Sequence, residues 1–407
     1  VRRPAGAVAV PVGEPLATLA VLLAVRASGG VPVVVDADLD VAAVEHLVAR
    51  TDAAAADRAG SGALLVVQTS GSSARPRAVL RSEESWTASL APFSRVTGLA
   101  RDDVVWAPGA LSASLTLFAA WHAVECGLPL LSTGRWRGVA AAGPAVRRVT
   151  AVHCVPAVLA DVLEAQSAGL LPALRTAVVA GAATPARLRA RALAAGIRVV
   201  EYYGAAELSF VAVDDDGGGL RPFPGAELDV RDGEVWVRSP YLALGYLDPD
   251  AAGPLRRDGR GWACVGDRGR LREGRLTVDG RAGESVTVGG HTVVVADVEA
   301  ALRDVAGVAE VACVGEPHAR LGERVVLAVR TEPGADPVPA LRAAARRELP
   351  PAARPVRYVV LADLPRTAGG KVARAALREV VTRAGRTAGR TAGRTAGRVA
   401  APRTPAG

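Results

Sequence analysis

Lysine is all but missing from this chain. Of 49 lysine and arginine residues in 407, one, Lys371, is a lysine. GC-rich coding produces such a bias, because a surface lysine turns into arginine at little loss. A lysine kept against that background either survived by chance or sits where a guanidinium will not serve. Lysine offers a compact ammonium with three rotatable donors on a flexible stem, whereas arginine presents a wide planar fork.

Aromatic residues are scarce too, 4% of the chain, while half of it is hydrophobic, chiefly through alanine, valine and leucine. That composition suits short buried strands and alanine-rich helices, and 407 residues leave room for two or three domains. Long apolar runs are lacking. The longest, from Leu16 to Val25, stops at Arg26 and is too short to span a bilayer. No charged-then-apolar leader with a small-residue cleavage site precedes it, which argues against secretion and for the cytoplasm. The four cysteines, Cys126, Cys154, Cys264 and Cys313, form no C-x-x-C pair, and with five scattered histidines they offer no metal-ligand spacing. They read as isolated small hydrophobes in a reducing compartment. Acids are absent from Arg383 onward, where six arginines fall, so the formal charge of +8 leaves only +2 for the rest of the chain. An unselected extension is the favoured reading of that basic tail over a nucleic-acid contact.

Strand and helix patterns alternate through the first half. Apolar strands are expected at 8–12, 31–35, 64–67, near 104, near 130, and at 150–154, 176–179 and 197–202. Helices are expected at 16–27, 41–49, from about 82, and at 115–125, 156–168 and 185–195, with a loose connector over 51–62. This alternation argues for an α/β fold, a large N-terminal domain over 1–280 with mostly parallel sheets. After Tyr203, glycine, proline and short strands at 227–230, 234–238 and 275–278 mark a small antiparallel subdomain. Residues 281–284 read as a hinge. A small, mobile α+β lid domain is expected over 285–381, with strands at 286–295, 308–314, 325–330 and 357–361 and helices at 296–305, 339–348 and 371–381. Repeats of Thr-Ala-Gly-Arg from Thr387 to Arg398 make 382–407 a disordered tail.

The strand at 64–67 runs straight into Thr69-Ser70-Gly71-Ser72-Ser73-Ala74-Arg75-Pro76-Arg77. Backbone N–H groups, hydroxyls and Arg77 in such a loop can cradle a polyphosphate. It is not G-x-x-x-x-G-K-[ST], so it is not the ordinary nucleotide P-loop, and alone it is more often just a loop. Its company changes that weighing. The loop resembles the T-S-G-S-T-G-x-P-K segment of the AMP-forming adenylate-forming superfamily, which includes acyl-CoA synthetases, luciferases and nonribosomal adenylation domains. Tyr203-Gly204-Ala205-Ala206-Glu207 resembles Y-G-x-T-E, and Gly233-Glu234-Val235 with Gly245-Tyr246 resembles G-E-[LI]…G-Y. Gly266-Asp267 resembles T-G-D. Gly280-Arg281 with Gly289-Gly290 and Glu299 resembles G-R-x-D…G-G…E-[IV]-E, and Leu364 to Arg374 resembles L-P-R-T-x-x-G-K-x-x-R. The partial matches fall in the family's order over roughly 7–380, which makes coincidence a poor explanation.

The resemblance implies a role for each matched position. Thr69, Ser70, Gly71, Ser72 and Ser73 would hold the ATP phosphates with Arg77. Glu207, with Thr69, would hold Mg²⁺, a hard cation suited to one carboxylate plus phosphate oxygens. Tyr203 and Gly204 would lie against adenine, Asp267 would take the ribose hydroxyls with Arg281 nearby, and Gly181 and Ala182 would pass close to the adenine or acyl group. Lys371 would reach the carboxylate and the α-phosphate and stabilise charge as pyrophosphate leaves. A thiolate, from coenzyme A or from an acyl carrier protein, would then attack the acyl-adenylate as the lid turns and brings in Gly289 and Gly290. Ala110 and His153 fall where family members line the acyl pocket, although a satisfied core histidine is the commoner role for His153. Taken singly, Tyr203 reads as core, Asp267 as a turn residue and Glu207 as a solvated acid at a helix start.

The departures are specific. Ser73 and Ala74 replace Thr-Gly, Arg77 replaces the loop lysine, Ala206 replaces a threonine and Gly283 replaces the hinge aspartate. The family also places on the order of a hundred further residues before Val8, in a domain of unusual size. Val178–Pro185 with Arg198–Glu207 resembles short forms similar to actinobacterial o-succinylbenzoate–CoA ligases, and a truncated or partly degenerate copy is the other reading. The leading expectation is an ATP-dependent ligase joining a fatty or aryl acid to coenzyme A. The alternatives are an adenylation enzyme loading a carrier protein, or a degenerate nucleotide- or acyl-binding homologue. No membrane span and no nucleic-acid partner are expected.

Overall fold

The computed structural model describes residues 6–389 apart from 37, 38, 40, 58–61, 69–76, 248–253, 282–284, 289, 290, 319, 320 and 368. The architecture is mixed α/β, as the alternation implies. A first sheet orders its strands Ala7–Val12, Val31–Asp36, Ala63–Gln68, Ala78–Ser82 and Gly245–Tyr246. The first three run parallel through the crossover helices Pro15–Ala27 and Val41–Asp57, and Ala78–Ser82 returns antiparallel. A second, seven-stranded sheet orders Arg221–Pro222, Ser209–Asp214, Arg198–Ala205, Thr176–Ala180, Ala151–Cys154, Val105–Ala107 and Leu130–Ser132. Its last five are parallel. Helices Ser114–Cys126, Pro156–Ser167 and Ala186–Ala194 make its crossovers.

Helix Ser114–Cys126 is apolar on nearly every side, the pattern of a helix with no solvent face. Its Leu117, Phe118 and Trp121 share one core with Val34 and Leu65 of the first sheet and Val178, Val200 and Phe210 of the second. The few aromatics are concentrated here. All four phenylalanines of the chain, Phe93, Phe118, Phe210 and Phe223, stack or meet edge-on in this cluster.

A third, antiparallel sheet contains Glu227–Arg231, Glu234–Arg238, Arg256–Arg257, Ala263–Cys264, Asp267–Arg272 and Arg275–Arg281. A fourth orders His291–Val294, Ser285–Val288, Gly322–Thr331 and Val308–His318, with Arg357–Val360 parallel to Gly322–Thr331. Helices Val295–Leu302 and Val338–Glu348 bury Val298, Leu302 and Leu341 in one core of this lid. Helix Arg374–Gly389 buries Leu377 and Val381 in another, against Ala312, Val314, Val326 and Ala328.

Several local expectations are corrected. The connector expected over 51–62 is helix as far as Asp57, because Ala53 to Ala56 are four consecutive strong helix formers. The single strand expected over 286–295 is a hairpin, as a Gly-Gly pair between apolar strands favours. Gly289 and Gly290 themselves lie outside the described residues. The lid's last helix starts at Arg374 rather than 371 and continues to Gly389, into the stretch expected to be disordered. Leu377, Val381 and the partly buried Ala384 extend one apolar stripe at helical spacing, and an Arg383–Glu379 pair at 3.6 Å follows it on the exposed side. Residues 390–407 lie outside the described residues. Glu207 starts no helix. It follows the strand Arg198–Ala205 in the tight connection to Ser209–Asp214.

That connection has little room. A Cβ placed on Gly204 would stand 2.0 Å from the carbonyl oxygen of Ser209, and backbone on both sides cannot step aside. Gly204→Ala is expected to destabilise the fold by about 3 kcal/mol in urea unfolding, the scale of core overpacking. Gly259→Ala, at a position with open space around it, is the near-neutral control.

Candidate functional site

The parallel strands of the second sheet end on one side, and in open α/β sheets ligands bind beyond those carboxyl ends. Strand Thr176–Ala180 ends at Gly181, whose φ of +90° takes the chain sharply away. Ala180 pairs with Tyr202, so Gly181 leaves the sheet beside Tyr203, which continues in its own strand. The lid sets its 369–371 turn on this edge. A Cβ on Gly369 would lie 3.2 Å from Cβ of Ala113, and one on Gly370 would lie 3.1 Å from Val155. A Cβ on Gly181 would stand 3.0 Å from Cε of Lys371 and 3.7 Å from its Cγ. The lone lysine therefore lays its stem along a residue that has no side chain to obstruct it.

Beside that contact, the hydroxyl of Tyr203 donates to Oδ2 of Asp267 at 2.6 Å. Asp267 is buried at the start of its strand and pairs in register with Arg281, whose side chain lies outside the described residues. Two positions far apart in sequence thus meet as neighbours.

Glu207 is 3% exposed, and its Oε1 accepts a hydrogen bond from Tyr246 at 2.8 Å. Its own carbonyl accepts from the backbone N–H of Ala243 at 2.9 Å. Burial, then the Glu207 carboxylate, push the Tyr246 hydroxyl above the usual phenol range, while Arg77 pulls the other way. Arg77 therefore sits within electrostatic reach of this pair. Thr69, Ser70, Gly71, Ser72 and Ser73, the expected phosphate cradle, lie outside the described residues, as do Gly289 and Gly290. Among the described residues no cluster of three metal-ligating side chains occurs. Glu207 remains a single oriented carboxylate, a fit for a cation that takes its other ligands from phosphate oxygens and water.

A residue that motif reading missed stands behind Glu207. Arg81 is fully buried and donates to the carbonyls of Ala206 at 2.9 Å, Ser85 at 2.8 Å and Tyr241 at 2.5 Å. Its guanidinium lies 5.4 Å from the centre of the Trp86 ring. Burial lowers its pKa to about 9 while the nearby Glu207 opposes the fall, so it stays charged at neutral pH. The available signal was a charge closing the apolar run Ala78-Val79-Leu80.

In the lid, the lysine turn is held from both ends. Arg366 makes two hydrogen bonds to Glu310, at 3.3 and 2.6 Å, and donates to the carbonyl of Gly370 at 3.2 Å. Arg374 makes two to Glu299, at 2.7 and 3.0 Å, and reaches the carbonyl of Cys313 at 2.9 Å. The backbone N–H of Thr367 donates to the carbonyl of Lys371 at 2.8 Å and closes the turn.

Ala110 and His153 lie deeper. Ala110 is 1% exposed. His153 stacks on Phe93 and shares a hydrogen bond of 3.0 Å with the Tyr202 hydroxyl. Ala182 is on the surface beside Gly181.

The sequence profile of the AMP-binding enzyme family matches residues 55–247, and that of the AMP-binding enzyme C-terminal domain matches residues 297–371. The chain belongs to the adenylate-forming superfamily. A probable 2-succinylbenzoate–CoA ligase of Mycobacterium tuberculosis is 38% identical over 241 residues, which cover 57% of this chain and 60% of that relative. A medium/long-chain-fatty-acid–[acyl-carrier-protein] ligase of the same organism is 29% identical over 93% of this chain and 77% of its own length. Among solved structures, a MenE variant of E. coli with bound OSB-AMS superposes with a TM-score of 0.78 at 23% identity, covering 93% of this chain and 88% of that one. The amide bond synthetase McbA of Marinactinospora thermotolerans gives 0.77 at 26% identity, covering 93% and 90%. Like these adenylate-forming neighbours, the chain combines a large α/β body with a smaller C-terminal domain. Among its described residues no helix is long and apolar enough to cross a membrane.

Two measurements probe this region. Arg81→Met is expected to destabilise the fold by about 3–5 kcal/mol, since it strips buried carbonyls of a charged donor. The second concerns acid. Burial lowers the pKa of His122 to about 4 and that of His153 to about 3, so both stay neutral in the fold. The unfolded chain protonates both near their ordinary value of about 6.5. Their contribution to stability is complete above that pH and falls as pH drops toward 4, each histidine adding a slope of about 1.4 kcal/mol per pH unit. His153→Gln is expected to remove one proton from that slope, and an unchanged slope contradicts the assignment.

Proposed function

We propose that the protein is an ATP-dependent, AMP-forming carboxylate–CoA ligase acting on a fatty or aryl acid in the cytoplasm. The observation that carries this reading is the seating of the chain's only lysine against Gly181, beside the strand that carries Tyr203. The carboxylate of the acid attacks the α-phosphorus of ATP, the bond to the β-phosphate bridging oxygen breaks, and pyrophosphate leaves. Lys371 supplies an ammonium where negative charge gathers in that step, a preorganised contribution that costs no solvent reorganisation. Asp267 and Tyr203 are assigned to the nucleoside, and Arg77 to the phosphates with the 69–73 segment. Glu207 is assigned to Mg²⁺, with Thr69, and the cation would neutralise charge on the phosphate oxygens. A coenzyme A thiolate then attacks the acyl carbon and releases AMP.

For that second step the lid, 285–381 with its last helix running to Gly389, is taken to turn about a hinge at 281–284 and withdraw Lys371. A second reading, transfer of the acyl group to a carrier protein, is favoured by the relative named for that activity, which aligns over 93% of this chain. Because the chain spans 60% of the first succinylbenzoate ligase relative, that protein's particular acid is not carried across.

Pyrophosphate release from ATP, measured over a panel of fatty and aromatic acids, tests the reading, and no release with any acid would favour a non-catalytic homologue. Lys371→Ala is expected to slow adenylation by about 10²–10³-fold, the usual loss on removing one preorganised donor, while thioester formation from supplied acyl-adenylate continues. Lys371→Arg should fail nearly as badly, by about 10²-fold, because the wider fork must shift at the Gly181 contact. Equal losses in the two half-reactions would remove Lys371 from this role.

A further inference from the structure

Two ionic contacts of opposite polarity seat the lid on the body, one on each side of Gly181. Helix Pro156–Ser167 leads into the strand that ends at Gly181, and helix Ala186–Ala194 follows it. The first helix carries Asp161 and the second Arg187. On the lid, Arg330 near the end of strand Gly322–Thr331 and Glu332 just after it answer both. Arg330 Nη1 lies 3.9 Å from Asp161 Oδ1, and Glu332 Oε1 lies 3.0 Å from Arg187 Nη2. Glu332 follows the strand by one residue, and its N–H still donates to the carbonyl of Gly307 at 2.9 Å, which places it about 7 Å along the chain from Arg330. Arg187 also donates to the carbonyl of Val308 on the neighbouring lid strand.

The contact at Asp161 continues inward. The indole of Trp136 donates to Asp161 Oδ2 at 3.0 Å and orients it. Arg330 stands 3.6 Å from Glu310, the partner of Arg366, and Arg366 holds the carbonyl of Gly370 next to Lys371. Asp161 and Val158 of the body meet Arg330, Asp363 and Arg366 of the lid around a cavity of about 240 Å³, so charged groups stand among apolar ones at this junction. Partly exposed ion pairs contribute little singly. A matched set acts differently, since charge complementarity discriminates strongly between orientations. The body offers a negative and then a positive group, and the lid offers positive and then negative. Turning the lid carries those two residues away from both helices.

We infer that Asp161 and Arg187 are positioning residues for adenylation, selecting through Arg330 and Glu332 the lid orientation that lays Lys371 on Gly181. The inference rests on the ligase reading for its kinetic consequence, and on the geometry alone for the docking. Arg187→Glu sets like charges together, and Glu332→Arg made in the same chain reverses the pair. The single variant is expected to slow ATP–pyrophosphate exchange about tenfold, leave thioester formation from supplied acyl-adenylate within about twofold, and recover most of the loss in the double variant. Equal loss in both half-reactions, or a double variant no better than the single one, overturns the inference.

Small-angle scattering of the substrate-free proteins supplies a readout independent of activity. The single reversal should broaden the distance distribution and the double one restore it, and three identical profiles would count against the pairing. Absence of exchange in the unaltered protein with every acid would count against the ligase reading, and scattering would still decide the docking.

Discussion

The turn bearing Lys371 is fixed by two arginine–glutamate forks, and the placing of the lone ammonium depends on them. Arg366 reaches back to Glu310 and Arg374 reaches to Glu299, each through two hydrogen bonds. A planar guanidinium meeting a carboxylate with both arms fixes direction as well as distance, which a point charge does not. Glu299 also accepts from the backbone N–H of Cys313 at 2.7 Å, so the clamp binds a helix, a strand and the turn together. The chain uses arginine where a side chain must hold still. Between the two forks it keeps a lysine, where a slender chain must lie along Gly181.

The body meets this turn with an edge held from beneath by its aromatic core. Phe93, Phe210, Tyr202 and His153 pack around the strand that leads to Gly181 and the strand that carries Tyr203. Few aromatics were available, and most of the large ones lie in this one place. The backbone at the strand ends therefore rests on a close-packed aromatic core. Glu207 gains its stiffness differently, from Tyr246 in front and from Arg81 gripping the preceding carbonyl.

Much of this was legible in the sequence because local pattern and motif agreed. The alternation of strand and helix led to the α/β body, and Tyr203, Glu207, Asp267 and Lys371 each stood in a short ordered match. What stayed hidden depended on partners distant along the chain. Arg81 looked like the polar end of a strand, since nothing local revealed that the carbonyls of Ala206 and Tyr241 would close over it. The strand Ala78–Ser82 was overlooked because the Ser/Gly/Pro loop before it drew the reading toward a helix near Ser82. Asp161, Arg187, Arg330 and Glu332 carried no signal, because ion pairs between body and lid exist only once the two are docked. The helix reaching Gly389 was masked by a repeat whose composition suggests disorder, although Leu377 and Val381 already carried the apolar spacing into it.

A single lysine also gives the protein an unusual chemical address. Reagents that acylate or reductively alkylate primary amines find one side chain in 407 residues. Its accessibility changes with whatever lies against Gly181. The rate at which that side-chain amine is modified becomes a clock for the lid, read from the mass of the peptide that carries it, apart from the chain's α-amino group, and needing no introduced probe.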